Sequence, residues 1–298
     1  MLTLVEASKL KQNPLQAGVI ETFASNSPVL ERIPFMDVAG NAYTFNREQT
    51  LPGVAFRDFN ESYTESTGVV QQSTEVLKIF GGTARVDRAQ VKTQGNLNDL
   101  RAIQTNMKAK AAALDWTKNF FKGDVATDPK GFDGLEKRLT GSQVLDNDNN
   151  GALNLFAVDK LIDAVQGGPD VLFMNKTMRR TLNALRREAR QATEVVSDAF
   201  GRQIDAYAGI PIGIIEDDAG GNPILGFAEG SDEDTTSIYA VRFGVQEWVG
   251  GLQAGPLEVI DQGLIDVWYQ TLIEWICSFT IFHPKAAARL QGIKDSGY

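Results

Sequence analysis

One histidine and one cysteine in 298 residues leave little from which to build a site on imidazole or thiolate. His283 alone cannot supply a histidine-based metal centre, and Cys277 has no partner for a disulfide within the chain. Cys277 lies in the apolar run LIEWICSFTIF and reads as a small buried hydrophobe. Long hydrophobic runs are missing too: no stretch approaches the ~20 residues that span a bilayer. The N-terminus, MLTLVEASKLKQNPLQAG, lacks the basic start and apolar core of a secretory signal, so an intracellular chain is expected. Basic residues are in deficit, 29 against 38 acidic ones, for a net charge of -9. That balance argues against a broad grip on nucleic-acid phosphates, which depends on Lys and Arg.

Catalytic patterns are equally scarce. There is no G-x-x-x-x-G-K-[ST] loop, no G-x-G-x-x-G opening a helix and no G-x-S-x-G elbow. SKLK at Ser8 to Lys11 matches S-x-x-K by spacing alone, with no accompanying motif. A serine relay would have to run through His283, beside Pro284 at a strand end, and a structural histidine is the better reading. The acidic runs EDD (216–218) and EGSDED (229–234) read as solvated turns. In DNDNNG, Asp146, Asp148, Asn150 and Gly151 match positions one, three, five and six of a calcium loop. Position twelve, which should be a bidentate Glu, is Ala157, so an exposed turn accounts for the pattern as well. No catalytic or cofactor-binding residue is expected. Asp146, Asp148 and Asn150 are the partial metal pattern.

What is present is a globular composition, 43% hydrophobic and 22% charged, arranged in an unusual order. Residues 1–35 read as an arm, with Leu15, Val19, Ile20 and Phe23 on one side of a short helix. Residues 36–88 read as an extended β-hairpin: AYTFNRE and STEVLKIFGGTARV alternate, and a long polar loop separates them. That loop carries Phe56, Phe59 and Tyr63, aromatics with no evident partner in their own segment; they either fold back on their own subunit or, the favoured reading, are received by a neighbouring chain. Residues 97–122 then read as one helix ~39 Å long at ~1.5 Å per residue. Leu97, Leu100, Ile103, Met107, Ala111, Leu114 and Phe121 form its apolar stripe, Asn96 or Asn98 its cap, and Gly123 its stop. Arg101, Lys108, Lys110 and Asp115 lie on the other side. Helices and short strands alternate from 153 to 257. One helix there, RRTLNALRREAR, gathers Arg179, Arg180, Arg186, Arg187 and Arg190, a charged face suited to acids of a neighbour, to an internal polyanion, or to solvent. Trp268 to Phe282 reads as a long strand, and HPKAAARLQGI as a short helix or tail.

An arm, a long hairpin, a long helix and an inserted α/β unit make a poor compact monomer, and other copies would supply the missing surface. In this order the chain resembles the major capsid proteins of tailed bacteriophages, whose fold encapsulins share. The resemblance covers essentially the whole chain and rests on NPLQAGVIETFASNSPVLERIPF, the extended loop, the long helix, DVLFMNKTMRRTL, YAGIPIGIIEDD, SIYAVRFG and HPKAAARLQGI. It implies an α+β fold with an N-terminal arm (1–35), an extended two-stranded loop (36–88), a peripheral domain (89–152 and 258–298) built on a spine helix and a long C-terminal strand, and an axial α/β domain (153–257). It also implies a coat subunit that assembles through pentamers and hexamers into an icosahedral virion shell around double-stranded DNA, without sequence-specific binding, in the host cytoplasm and away from membranes. A portal is an implied partner. Met1 stands directly at the arm, so a scaffolding protein is expected as a separate chain. Some members cross-link through a loop lysine. Here Lys78, at the loop base, is the lone lysine between Tyr43 and Phe80, and no cross-link is expected. An encapsulin-like compartment is the alternative within the fold, and a carboxylate-based metal-dependent enzyme the alternative from another class.

Overall fold

The computed structural model describes residues 3–4, 14–50, 52–94, 99–147, 151–190, 194–197, 201–230 and 234–295. Helix α1 (Pro14–Ser25) places Val19, Ile20 and Phe23 on its buried side. Ser27 then caps α2 (Pro28–Arg32), its hydroxyl accepting from the Leu30 amide at 3.3 Å, with proline in the first turn. These helices are not an unsupported arm. Phe23 meets Trp275 edge-on at 5.7 Å, inside the chain's own core. Residues 36–88 likewise divide. Strand β1 (Phe35–Asp37) belongs to a five-stranded sheet. Strands β2 (Ala42–Thr50) and β3 (Val69–Val76) form a separate two-stranded ribbon, and β4 (Lys78–Asp87) returns to the sheet.

Helix α3 (Arg88–Gln94) leads to the spine helix α4 (Leu100–Lys122). Its cap is Asp99, whose carboxylate accepts from the Arg101 and Ala102 amides; Leu97 and the expected caps Asn96 and Asn98 lie outside the described residues. Gly123 does end α4, but not in the left-handed region, for its φ is -54°. Glycine is required there by close approach: a Cβ would stand 2.3 Å from the Phe132 carbonyl oxygen and 2.5 Å from that of Asn119. The chain continues through α5 (Leu135–Arg138), β5 (Val144–Asp146), α6 (Leu155–Asp163), β6 (Val171–Met174) and α7 (Lys176–Glu188). The remaining strands are β7 (Glu194–Ser197), β8 (Gln203–Tyr207), β9 (Ile210–Ile214), β10 (Thr235–Val241), β11 (Val249–Gln253), β12 (Glu258–Ile265), β13 (Trp268–Ile281) and β14 (Ala287–Lys294).

Strand β13 is the axis of the five-stranded sheet. Its Trp268–Cys277 edge pairs with β4, while β12 and β11 share the other edge end to end, and β1 adds to β11. The seven-stranded sheet has the order β5-β14-β10-β6-β9-β8-β7. Two segments therefore sit apart from the expected domain limits. β11, within 153–257, belongs to the five-stranded sheet, and β14, within 258–298, lies inside the seven-stranded one. From Ala287 on, the run HPKAAARLQGI is a strand rather than a helix or tail. Its alanines favour helix by themselves, but pairing on both sides, with β10 and β5, overrides that preference.

Strands β6 and β10 are buried on both faces, which explains the apolar runs VLFM and IYAV within them. Val171, Phe173, Tyr239 and Val241 face one core; Leu172, Met174, Ile238 and Ala240 face the other, under α6 and α7. The first core is continuous with the underside of the five-stranded sheet. Trp116 and Phe120 stack at 5.5 Å, Phe120 reaches Phe279 at 4.6 Å, and Phe121 reaches Phe173 at 5.4 Å and Tyr239 at 5.2 Å. The last turns of α4 thus pack against both sheets at once.

Candidate assembly surfaces

The ribbon stands on an aromatic foot. Tyr43 and Phe45 alternate onto one face of β2, stack on each other at 6.2 Å, and meet Phe282 at 6.3 and 5.0 Å. Beyond that foot the described residues of the tip are exposed. Val54 and Phe59 are 98% and 93% exposed, Phe56 fully, and Tyr63 66%. What holds the tip is local: the Gly53 amide donates to Ser66 Oγ at 2.7 Å, the Asp58 amide to Glu61 at 3.1 Å, and Arg57 lies 5.5 Å from the Tyr63 ring centre. Phe56 and Phe59 are large apolar groups held in water, at roughly 1.5–3 kcal/mol each relative to burial.

The spine helix buries a different face from the one its large aliphatics mark. The buried residues are Thr105, Ala109, Ala113, Trp116, Thr117, Phe120 and Phe121. Of the expected stripe, Phe121 is buried, Leu100, Ala111 and Leu114 are half-buried, and Ile103 and Met107 are exposed. At about 100° per residue, Ile103 and Met107 point roughly half a turn away from Ala109 and Trp116. The reason is proximity: α4 is flanked by α1 and β4, and Ala109 and Ala113 are small enough to let these neighbours close in. Arg101, on the side read as polar, bonds Asp261 at 2.6 Å and covers the Tyr269 ring at 4.7 Å.

Where α4 ends, a largely buried charge network ties it and α5 to the seven-stranded sheet. Arg289 of β14 donates from Nε to Ser237 Oγ at 2.9 Å, and from Nη2 to Glu229 at 2.8 Å and Glu136 at 3.1 Å. Lys122 of α4 pairs with Glu136 at 2.9 Å and also with Glu229, which accepts from Ser237 as well. Burial pushes the Glu229 carboxyl upward, but Lys122 and Arg289 outweigh it and hold the group below the usual carboxylate range. The nearby Tyr239 hydroxyl is held well above its ordinary value by burial. No local motif announces this network, because its members come from positions 122, 136, 229, 237 and 289. The signal available was one arginine inside the otherwise apolar AAARL. The EDD turn is also tied down: the hydrogen bond from Lys118, at 2.9 Å, holds the Asp218 carboxyl at about 2.

The arginines of α7 separate into two sets. Arg186 is buried, donating to the Ala206 carbonyl at 2.5 Å and lying 5.4 Å from the Tyr207 ring centre, while Arg179 reaches Asp205 at 3.5 Å. Both fasten the helix to β8. Arg180, Arg187 and Arg190 are exposed. Asp146 lies in β5 and accepts from Gln291 Nε2 at 2.5 Å; Asp148 and Asn150 lie outside the described residues. Among the described residues no group of three His, Cys, Asp or Glu side chains is placed to hold a metal ion. His283 accepts from the Lys285 amide at 3.1 Å, and burial pushes the Cys277 thiol up to about 12. Lys78 donates to the Pro129 carbonyl at 2.9 Å. No described helix is long and apolar enough to cross a membrane.

This geometry, with two sheets sharing a spine helix and a solvent-held ribbon, has counterparts among known proteins. Residues 11–155 match the family model described as Major capsid protein GP7. The SrpI encapsulin of Synechococcus elongatus superposes with a TM-score of 0.68 at 15% identity, over 91% of this chain and 88% of that one. The capsid of a native GTA particle gives 0.63 at 14%, over 89% and 90%. Mycobacterium phage Bobi gives 0.62 at 15%, over 89% of each chain. No curated protein sequence matches. The fold is that of the tailed-phage major capsid proteins and encapsulins. The likeness in sequence thus covers just under half of the chain, and the likeness in fold nearly all of it.

Proposed function

We propose that the chain closes through pentamers and hexamers into an icosahedral shell that encloses double-stranded DNA, assembling in the host cytoplasm with a separate scaffolding protein and a portal. In this reading the five-stranded sheet with α4 is the peripheral domain, the seven-stranded sheet is the axial domain at the capsomer centre, and the ribbon reaches onto a neighbouring copy. The observation that carries it is the ribbon tip. Phe56, Phe59 and Tyr63 are exposed at the end of a ribbon whose described anchors lie at its foot. Burying them on a neighbour repays the cost of ordering the tip, and a closed shell repeats that gain at every subunit. The acidic chain, at a net -9, suits a wall that surrounds DNA without adhering to it.

Replacing residues 52–65 by a short Gly/Ser linker tests the ribbon. The expected outcome is a folded subunit with near-normal circular dichroism and no closed shells by sedimentation and electron microscopy. Shells of normal thermal stability would refute the intersubunit role, and an unfolded subunit would place the tip in the chain's own core.

The second reading is an encapsulin-like compartment, favoured by the 0.68 superposition on the SrpI encapsulin. The contents of purified particles separate the two: double-stranded DNA supports the virion, and a packaged protein the compartment.

A further inference from the structure

At the foot of the ribbon lies a polar cleft of about 330 Å³, lined by Arg47, Glu75, Arg138, Gln143 and Thr280 among others. Its charges do not balance. Arg138 is fully engaged: Nη1 and Nη2 grip Glu75 at 2.8 and 2.7 Å, Nε donates to the Asp133 carbonyl at 2.6 Å, and the guanidinium lies 4.6 Å from the Phe279 ring centre. Glu75 is engaged as well, accepting also from Ser278 at 2.8 Å. Among the described residues Glu75 is the one carboxylate lining the cleft, and Arg138 holds it by both oxygens. Arg47 is left over. One of its terminal nitrogens donates to the Ile281 carbonyl, and its buried Nε has no acceptor. Burial and the charge of Arg138 both press its ionisation downward.

A guanidinium with an idle Nε–H is half of a fork, and the group that completes it is planar or tetrahedral with two oxygens. We propose that this cleft is an oxyanion site, in which a carboxylate or phosphate takes the Arg47 Nε–H and an adjacent terminal N–H through two oxygens. The hydroxyl of Thr280 and the amide of Gln143 line the same space. The bound anion supplies the missing negative charge between Arg47 and Arg138. Because Arg47 projects from β2 and Glu75 from β3, occupancy fixes the stance of the ribbon against the sheet. The oxygens have two possible sources: a free anion, or an acidic side chain of a second copy.

Inorganic phosphate is the probe. Melting of the unassembled full-length chain is followed in phosphate and in sodium chloride of equal ionic strength, since a ligand of the folded state raises the midpoint. The expected result is a phosphate-specific rise, lost in Arg47→Gln and reduced in Arg47→Lys, which keeps the charge but not the fork. Assembled shells separate the sources. A response that persists in shells marks a free anion. A response lost on assembly, together with shells weakened by Arg47→Gln, marks the neighbour's carboxylate. Equal midpoints in phosphate and chloride for the natural chain, which need no variant to observe, overturn the proposal. So does an undiminished response in a folded Arg47→Gln chain.

Discussion

Arg289 and Glu229 lie where the end of α4 meets the seven-stranded sheet, with side chains 8% and 9% exposed. Charges that deep persist because each is paired more than once, and removing one member strands the others. Arg289→Met should therefore cost about 3 kcal/mol, read as a lower urea midpoint of the unassembled chain. An unchanged midpoint would mean that Lys122 alone neutralises both glutamates. The same network makes the joint acid-sensitive. Glu229 ionises below its unfolded range, so its contribution is complete above about pH 4.5 and disappears as the pH falls through the folded value. The stability difference between the natural chain and Glu229→Gln should hold level from pH 6 to about pH 4.5 and shrink from there towards pH 3. A constant difference across that range would show that Glu229 acts through packing rather than charge.

At the scale of the element, α4 shows that the largest aliphatic residues need not mark the buried face. Ala113 is fully buried and Met107 is 60% exposed, although size alone ranks them the other way. Ala113→Asp should place an unpaired charge in the seam and cost about 3 kcal/mol or more. Met107→Ser in the unassembled chain should stay within about 0.5 kcal/mol of the natural protein. Chemical denaturation of the two variants side by side checks the face assignment, and reversed effects would restore the aliphatic stripe as core. The ribbon makes the opposite case. Its strands hold Thr44 against Thr74 at 3.0 Å, and among its described residues none is fully buried.

For the whole molecule, the arrangement of lysines bears on how a shell would be secured. Lys78 lies at the ribbon base and is occupied by the Pro129 carbonyl, far along the chain from the aromatic tip. Shell contacts should therefore be non-covalent. Particles boiled in SDS should run as a single band near the chain mass of 32.5 kDa, and a ladder surviving reduction would reveal a reacting lysine. Continuity of the first core across both sheets has a related consequence. Trp116, Phe121 and Tyr239 belong to one cluster, so the two sheets are expected to unfold together rather than as separate units.

The sequence by itself determined the order of parts. The α1 side with Val19, Ile20 and Phe23, the alternation of Tyr43 and Phe45, the spine helix to within a few residues, and the buried strand VLFM are all written in local periodicity. Local periodicity is set by backbone geometry and needs no distant partner. The exposed Phe56, Phe59 and Tyr63 were legible for the same reason, as aromatics in a segment too polar to bury them. Tertiary structure alone decided which face of α4 is inside, since that depends on how closely α1 and β4 approach Ala109 and Ala113. It also decided that AAARLQGI is a strand, because the β5 and β10 edges that claim it come from elsewhere in the chain. The Arg289 network and the unmatched Arg47 were invisible for the deepest reason. Each is a balance of charge among groups far apart in sequence, and whether a charge is paired or left over is fixed only when the fold brings its neighbours within reach.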